Sequence, residues 1–459
     1  MNTTWDGKRV TILGGARQGL SAARWLARHG ARVTLNDRRP PEQMATAQAA
    51  VQGVAVKWVL GSHPLEILDT TDVLCLSGGV PLDNPLVVEA VRRGVPLTND
   101  TQLFMEAVPC RTIGITGSAG KTTTTSLVGC MAKAALGDRA YVGGNIGDPL
   151  LNYVDEMRPD NLAILEISSF QLEQMTTSPQ IAAVLNITPN HLDRHGTMEA
   201  YTAAKRRILE FQGPQDLAVL DREDPGSWAL RKVVRGRLVS FGMGPIEDGE
   251  DGSFLQDGLL YLHERGLDIA LLEQGKIQLR GQHNLMNTLA AAAIGLAAGL
   301  PLDAMLGAVQ EFQGVPHRLE FVRTWKGASW YNDSIATAPE RTMAAIRSFQ
   351  EPIVLLLGGR DKNLPWSELG DLVHQRVDHV ILFGEAAEKI ESVLGPSGKG
   401  NRPFTLDRCR NLEEAVRAAV RRVEAGDVVL LSPGGTSFDE FNDFEERGEA
   451  FRKWVSALS

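Results

Sequence analysis

Short apolar runs that break off at a glycine-rich turn and resume as a helical pattern recur along this chain. That recurrence restricts it to parallel α/β architecture. The first case is Arg9-Val10-Thr11-Ile12-Leu13, followed by Gly14-Gly15-Ala16-Arg17-Gln18-Gly19, a helical pattern from Ser21, and a second strand Ala31–Leu35 ending at Asn36-Asp37. A strand at Asp72–Leu76 runs into Ser77-Gly78-Gly79, and a helix spans Pro85–Arg93. After Pro109 the pattern restarts with a strand at Thr112–Ile115, a glycine turn and a helix from Lys121; buried strands are expected at Leu162–Leu165 and Ile181–Leu185. Residues 216–280 read as hairpins decorating this second unit, with a turn signal at Glu247-Asp248-Gly249-Glu250-Asp251-Gly252, and Asn284–Leu300 as its last helix. Phe312–Arg318 reads as a linker into a third unit with strands at Pro352–Leu357, His379–Phe383 and Asp427–Leu431.

The expectation is three α/β domains in series. A Rossmann-like domain covers 1–108, a central P-loop-type ATPase domain 109–311 and a Rossmann-like C-terminal domain 312–459. The length of 459 residues accommodates this, since it allows about two to four domains with cores of their own. The four cysteines, Cys75, Cys110, Cys130 and Cys409, lie far apart, which argues against a zinc ribbon or a disulfide framework and fits a reducing compartment. No signal peptide is read at Met1–Asp6, and the lipophilic stretch Leu289–Leu300 is too short to cross a bilayer. A net charge of -9 disfavours a broad nucleic-acid footprint. The expectation is a cytoplasmic protein with neither nucleic-acid partner nor membrane insertion.

The two glycine turns differ in what they can hold. In the first, Ala16 replaces the middle glycine of a dinucleotide fingerprint, and its methyl hinders close approach of a pyrophosphate. Asp37 could accept from a sugar hydroxyl, or the turn could be ligand-free. The second, Thr116-Gly117-Ser118-Ala119-Gly120-Lys121-Thr122-Thr123, follows an apolar strand and opens a helix, the context of a phosphate-binding loop. It departs from a strict Walker A loop because Ile115 stands at the first glycine. Gly117 and Gly120 let backbone N–H groups face phosphate oxygens, Lys121 adds a point charge, and the Thr122 hydroxyl can ligate Mg²⁺.

Glu166, after the run Leu162–Leu165, stands where a Mg²⁺ ligand belongs. His191 and His195 lie in the polar loop Asn186–Gly196 at another strand exit; His191 is favoured for a site role and His195 left open. Lys205 sits in a helical pattern whose plain reading is surface solvation. Asn284 and Asn287, three apart on one helix face, either cap the helix or contact a base or ribose. Arg318 and Asp333 flank the third domain's first strand, where an Arg could clamp a phosphoryl group or form a surface ion pair. The loops Gly358-Gly359-Arg360-Asp361-Lys362 and Ser432-Pro433-Gly434-Gly435-Thr436-Ser437 could each hold an anionic substrate.

Taken together these segments resemble the Mur ligase family over essentially the whole chain, and within it the branch that adds D-glutamate. The resemblance rests most on Ile113–Thr123, Gly143–Gly147, Leu165–Glu173, Asn186–Lys205, His283–Asn287, Pro316-His317-Arg318 and Ser432–Gly448. It implies ATP-dependent ligation of D-glutamate to UDP-N-acetylmuramoyl-L-alanine through an acyl phosphate, in peptidoglycan precursor synthesis, by a monomer. The same ligation with L-glutamate, or with another amino acid, is the alternative. Outside the family the alternatives are an NAD-type oxidoreductase built on the first turn and a non-catalytic nucleotide binder.

Carried over by position, the resemblance implies that Gly117, Ser118, Ala119, Gly120, Lys121, Thr122 and Thr123 cradle ATP, with Thr122 and Glu166 at Mg²⁺. His191 and a carbamylated Lys205 hold a second ion. Asn284, Asn287, Arg318 and Asp333 match ATP-contacting positions, so that Lys121, Glu166, His191, Lys205 and Arg318 form the catalytic set. Arg17, Gln18, Asp37 and Ser77 fall at the uridine nucleotide, Asn145 and His191 at its peptide end, and Thr337, Lys362, Ser437 and Phe444 at the glutamate. Many relatives carry a lysine where this chain has Ile335, which removes one cation near the incoming amino acid.

Overall fold

In a computed structural model, residues 4–246, 249–396 and 404–459 are described. Glu247 and Asp248, part of the turn signal above, lie outside them. The chain forms two compact units: residues 1–277 with 283–311, and residues 278–282 with 312–459.

The first unit contains two sheets. The five-stranded one is built from β1 Arg9–Leu13, β2 Arg32–Asp37, β3 Val56–Leu60, β4 Val73–Leu76 and β5 Leu97–Asn99, ordered β3-β2-β1-β4-β5 and parallel throughout. This is the doubly wound order, which brings the ends of β1 and β4 together where the strand order reverses. Buried Val10, Ile12, Val33, Leu35 and Cys75 form its interior.

The second sheet has nine strands: β6 Arg111–Thr116, β7 Ala140–Gly144, β8 Leu162–Glu166, β9 Ile181–Val184, β10 Leu217–Asp221, β11 Arg237–Phe241, β12 Asp251–Gln256, β13 Leu259–Glu264 and β14 Leu267–Glu273. Their order is β14-β13-β12-β11-β10-β9-β6-β8-β7. Residues 216–280 therefore do more than decorate. β10 and β11 extend the parallel sheet, β12 pairs parallel to β11, and only β12 to β14 are antiparallel. Parallel strands buried on both faces are continuously apolar, as Leu217-Ala218-Val219-Leu220 is, which distinguishes them from hairpins.

Between the two sheets the chain passes through Asn99 and the helix Asp100–Ala107. Asn99 caps that helix by accepting from the Gln102 N–H at 2.8 Å, and its amide donates to the Gln171 carbonyl at 2.9 Å. Asp100 is buried, its Oδ1 lacks a hydrogen-bond partner among the described residues, and burial pushes its carboxyl up to about 6.

The second unit is a six-stranded sheet. It is formed by β15 Glu320–Trp325, β16 Ala328–Asn332, β17 Ile353–Gly358, β18 His379–Phe383, β19 Thr405–Arg408 and β20 Val428–Gly434, in the order β15-β16-β20-β17-β18-β19. All pairs but β15–β16 are parallel. Arg318 and Asp333 thus bracket two strands, β15 and β16, rather than one; alternating exposure in Glu320–Trp325 hides the edge strand from a search for apolar runs. Among the described residues no helix is long and apolar enough to cross a membrane.

Candidate functional site

The carboxyl ends of β6, β8 and β9 lie side by side, with Ile115 paired to Glu166 and Thr116 to Val184. From β6 the chain turns through Gly117–Gly120 into the helix Lys121–Leu136. Gly120 has φ +82, and a Cβ there would come within 2.2 Å of Asn287 Oδ1, so the position requires glycine twice over. The loop is clamped to the exit of β9. Asn186 accepts from the Ala119 N–H at 2.8 Å and donates to its carbonyl at 3.2 Å, while the Ser118 hydroxyl donates to the Thr188 carbonyl at 2.9 Å. The Tyr201 hydroxyl reaches Ser118 Oγ at 3.0 Å. The Ser118 and Ala119 N–H groups both donate to Asn186, at 2.9 and 2.8 Å, so the exit of β9 fixes the conformation of the loop.

Two amines share one acceptor behind that loop. Lys121 Nζ donates to the Gly117 carbonyl at 2.7 Å, and Lys205 Nζ donates to the same oxygen at 2.9 Å. Lys205 is not solvated, as its sequence neighbourhood suggests, but 1% exposed, with its ammonium 4.7 Å from the centroid of the Tyr201 ring. Burial, reinforced by the charge of Lys121 and opposed by Glu166, lowers its proton affinity well below that of an ordinary lysine. Tyr201, Lys205 and Ile208 sit four and three apart on the inner face of the helix Met198–Glu210; that spacing was the available signal.

Glu166 closes β8 and is 2% exposed. Its Oε1 accepts from Asn145 Nδ2 at 2.8 Å, whereas Oε2 has no hydrogen-bond partner among the described residues. A buried carboxylate oxygen without a donor suits a hard cation. His191 is exposed, adopts φ +53 and stands edge-on to Phe170 at 5.2 Å. His195, left open by the sequence, has a side chain only 1% exposed: it stacks on Phe170 at 5.1 Å, bonds Ser169 Oγ at 2.9 Å and pairs with Glu173 at 3.0 Å, a structural set of contacts. Among the described residues no three His, Cys, Asp or Glu side chains cluster as a metal cage.

Asn284 and Asn287 are buried on the helix Gln282–Ala298, where Asn287 Nδ2 donates to Asn284 Oδ1 at 3.1 Å. Asn287 faces Gly120, so the pair borders the loop rather than serving only as a cap.

In the five-stranded sheet, Gly14–Gly19 packs against Ser77-Gly78, and the Gly78 N–H donates to Gln18 Oε1 at 3.2 Å. Asp37 is 6% exposed, yet both its oxygens are engaged: Gly15 N–H donates at 2.8 Å, and Arg39 pairs with it at 2.7 Å. Burial would raise its pKa, but Arg39 and the Arg39 and Gly15 N–H groups outweigh that and hold the carboxyl well below the usual range. Asp37 is therefore a brace for the turn rather than a waiting acceptor. Arg17 is exposed at the turn and Ser77 buried beneath it.

In the second unit, Thr337, Lys362 and Ser437 follow three adjacent strands, β16, β17 and β20. Their loops are zipped together: Gly434 N–H donates to the Ala336 carbonyl, and Arg360 and Thr436 exchange N–H bonds, each at 2.8 Å. Lys362 Nζ donates to Thr337 Oγ1 at 3.2 Å. Buried Arg447, which the sequence reading missed, ties these loops down by donating to the Ser334 carbonyl at 2.8 Å and the Gly435 carbonyl at 3.1 Å. Phe444 lies half-buried, edge-on to His317. Asp333 is buried, accepts from Ser432 Oγ at 2.8 Å and from the Leu319 N–H at 3.2 Å, and is pushed by burial up to about 7 although Arg318 opposes this.

A glycine turn opening a helix at Lys121, with a carboxylate at the adjacent strand's end, in a chain of three largely parallel sheets, is the arrangement of a nucleotide-binding enzyme. Comparison with known proteins makes this specific. The Mur ligase MurD-like N-terminal domain matches residues 8–99, the Mur ligase middle domain 115–295, and the Mur ligase glutamate ligase domain 317–435. The UDP-N-acetylmuramoylalanine--D-glutamate ligase of Symbiobacterium thermophilum is 39% identical, with 98% of each chain covered. That of Koribacter versatilis is 37% identical over 99% of this chain and 98% of its own. Among solved structures, UDP-N-acetylmuramate-alanine ligase MurC from Thermotoga maritima superposes with a TM-score of 0.58 at 20% identity, covering 98% of this chain and 100% of its own, and MurF from Acinetobacter baumannii with 0.58 at 18%, covering 98% and 91%. The chain belongs to the Mur ligase family and is an ATP-dependent ligase.

Proposed function

We propose that this ligase joins D-glutamate to UDP-N-acetylmuramoyl-L-alanine, a cytoplasmic step of peptidoglycan precursor synthesis, acting as a monomer. The observation that carries the ATP-driven half of this reading is the clamped Gly117–Gly120 loop with Lys121 and Lys205 behind it and the unpartnered Glu166 oxygen beside it. A carboxylate is a poor acyl donor. Transfer of the γ-phosphoryl group of ATP to the alanyl carboxylate gives an acyl phosphate and ADP; the glutamate amine then attacks the acyl carbon, phosphate departs, and the amine loses a proton.

In this reading the backbone of Gly117, Ser118, Ala119 and Gly120 and the side chains of Lys121, Thr122 and Thr123 hold the triphosphate. Asn284, Asn287, Arg318 and Asp333 complete the ATP set. Thr122 and Glu166 would hold one Mg²⁺, and His191 with Lys205 a second, where bound ions would supply positive charge against the phosphates. Lys205 serves as an anion. Burial lowers the proton affinity of this amine, which favours the neutral form; that form adds to the carbon of CO₂ and releases one proton to give a carbamate. Arg17, Gln18 and Ser77 receive the uridine nucleotide on a turn braced by Asp37. Asn145 and His191 meet its peptide end, and Thr337, Lys362, Ser437 and Phe444 hold the glutamate.

Phosphate release should require ATP, Mg²⁺, UDP-N-acetylmuramoyl-L-alanine and D-glutamate together. Equal turnover with L-glutamate moves the reading to the other isomer. Lys205→Ala should lose activity and regain part of it with added short carboxylic acids; absence of rescue, with an unmodified Lys205 mass under CO₂, tells against the carbamate.

A further inference from the structure

We infer that Arg341 is a second carboxylate-binding cation of the amino-acid pocket and a determinant of its preference for a dicarboxylate. This rests on the reading of Thr337 and Lys362 as glutamate-binding, and extends it to a residue that the family resemblance did not assign.

The Ile335 carbonyl organises the arrangement. It accepts from the Thr337 N–H at 2.8 Å and from Arg341 Nη1 at 3.3 Å, so the Thr337 hydroxyl and the Arg341 guanidinium leave the same tight turn. Lys362 Nζ reaches that hydroxyl from the next strand's loop at 3.2 Å. A hydroxyl, an ammonium and a guanidinium therefore gather around Ile335, where the side chain itself offers no charge. Neither Arg341 nor Lys362 forms a salt bridge among the described residues, and the positive field of Arg341 and of buried Arg447 adds to desolvation in lowering the proton affinity of Lys362. Buried Asp333 feels the charge of Arg341 without forming a salt bridge to it, and the exposed ammonium and guanidinium present a positive face to an anion from outside.

The position of Arg341 also argues against indifferent surface solvation. It is the third residue of the helix Pro339–Arg347, at the end where the helix dipole disfavours a cation. Its side chain is exposed, with only one donor engaged in a hydrogen bond among the described residues, and the remaining fork matches a carboxylate in bidentate fashion. Glutamate carries two carboxylates. Lys362 answers one and Arg341 the other, with Ile335 leaving the space between them uncharged.

The test is steady-state phosphate release with ATP and UDP-N-acetylmuramoyl-L-alanine saturating, for wild type, Arg341→Ala, Arg341→Lys and Arg341→Ala/Ile335→Lys. Arg341→Ala should raise the KM for D-glutamate about ten- to a hundredfold, the range for loss of one charge-assisted contact, while the KM for ATP stays within about twofold. Arg341→Lys and the double variant should each recover part of the loss. Each monoamide of D-glutamate is tested as well, and for one of them Arg341→Ala should add no further penalty, because the carboxylate it holds is already gone. An active wild type with an unchanged D-glutamate KM in Arg341→Ala, or equal further penalties for both monoamides, overturns the assignment of Arg341 alone. A wild type that does not turn over D-glutamate overturns the function reading, and this inference with it.

Discussion

Replacing Asp100 with Asn should raise the stability of the first unit relative to wild type progressively as pH climbs from 4 to 7. Asp100 is 4% exposed and its carboxyl is pushed by burial up to about 6 from an ordinary 3.8. At about 1.4 kcal/mol per unit, ionising it in the folded chain costs roughly 3 kcal/mol. The folded-state value is raised. The stability contributed by the protonated form is thus fully present below pH 3.8 and is lost as pH climbs through 6. An amide does not ionise, so the stability of Asp100→Asn minus that of wild type should rise by about 2–3 kcal/mol between pH 4 and 7 and level off above that. Oδ1 has no hydrogen-bond partner among the described residues, and an amide N–H placed there would cost about 1–3 kcal/mol at every pH. The slope of the difference against pH therefore carries the argument, not its sign at one pH. Urea unfolding of both proteins at pH 4.5, 6 and 8 measures it, and a pH-independent difference refutes a buried, raised Asp100.

Gly120→Ala should weaken ATP binding by titration at least tenfold, since the left-handed backbone alone costs about 1–2 kcal/mol and the methyl meets Asn287. Lys121→Ala should leave folding intact by circular dichroism while reducing ATP-dependent phosphate release by orders of magnitude. Gly448→Ala should destabilise the second unit by about 1–3 kcal/mol in urea unfolding, because a Cβ there would clash with His317 Nδ1. Asp333, near 7, should give kcat/KM for ATP an acid limb in which the carboxylate is lost as pH falls; Asp333→Asn should flatten that limb, and an unchanged profile would exonerate the residue.

What the sequence made legible followed from local rules. The turn from β6 into the helix Lys121–Leu136 could be read because strand, glycines, lysine and helix start are contiguous, and the strand-end position of Glu166 because an apolar run ended on it. Lys205 looked solvated because Arg206 and Arg207 beside it are charged; its burial comes from packing of the Tyr201–Ile208 face, which only the folded helix reveals. The pairing of Asp37 with Arg39 was not legible, because no motif marks it. Arg447 escaped notice because its bonds run to carbonyls more than ten positions away in sequence. β10 and β11 were read as hairpins because short apolar segments do not declare their pairing partner.

The Gly117 carbonyl accepts from two lysines at once, and that sharing makes it a pivot. A polyphosphate entering the loop competes for the Lys121 ammonium and leaves the oxygen to Lys205, whereas conversion of Lys205 to an anion removes a donor and leaves the oxygen to Lys121. The two events act on one atom from opposite sides. Nucleotide occupancy and the chemical state of Lys205 should therefore be thermodynamically linked, each altering the other's equilibrium by the same factor.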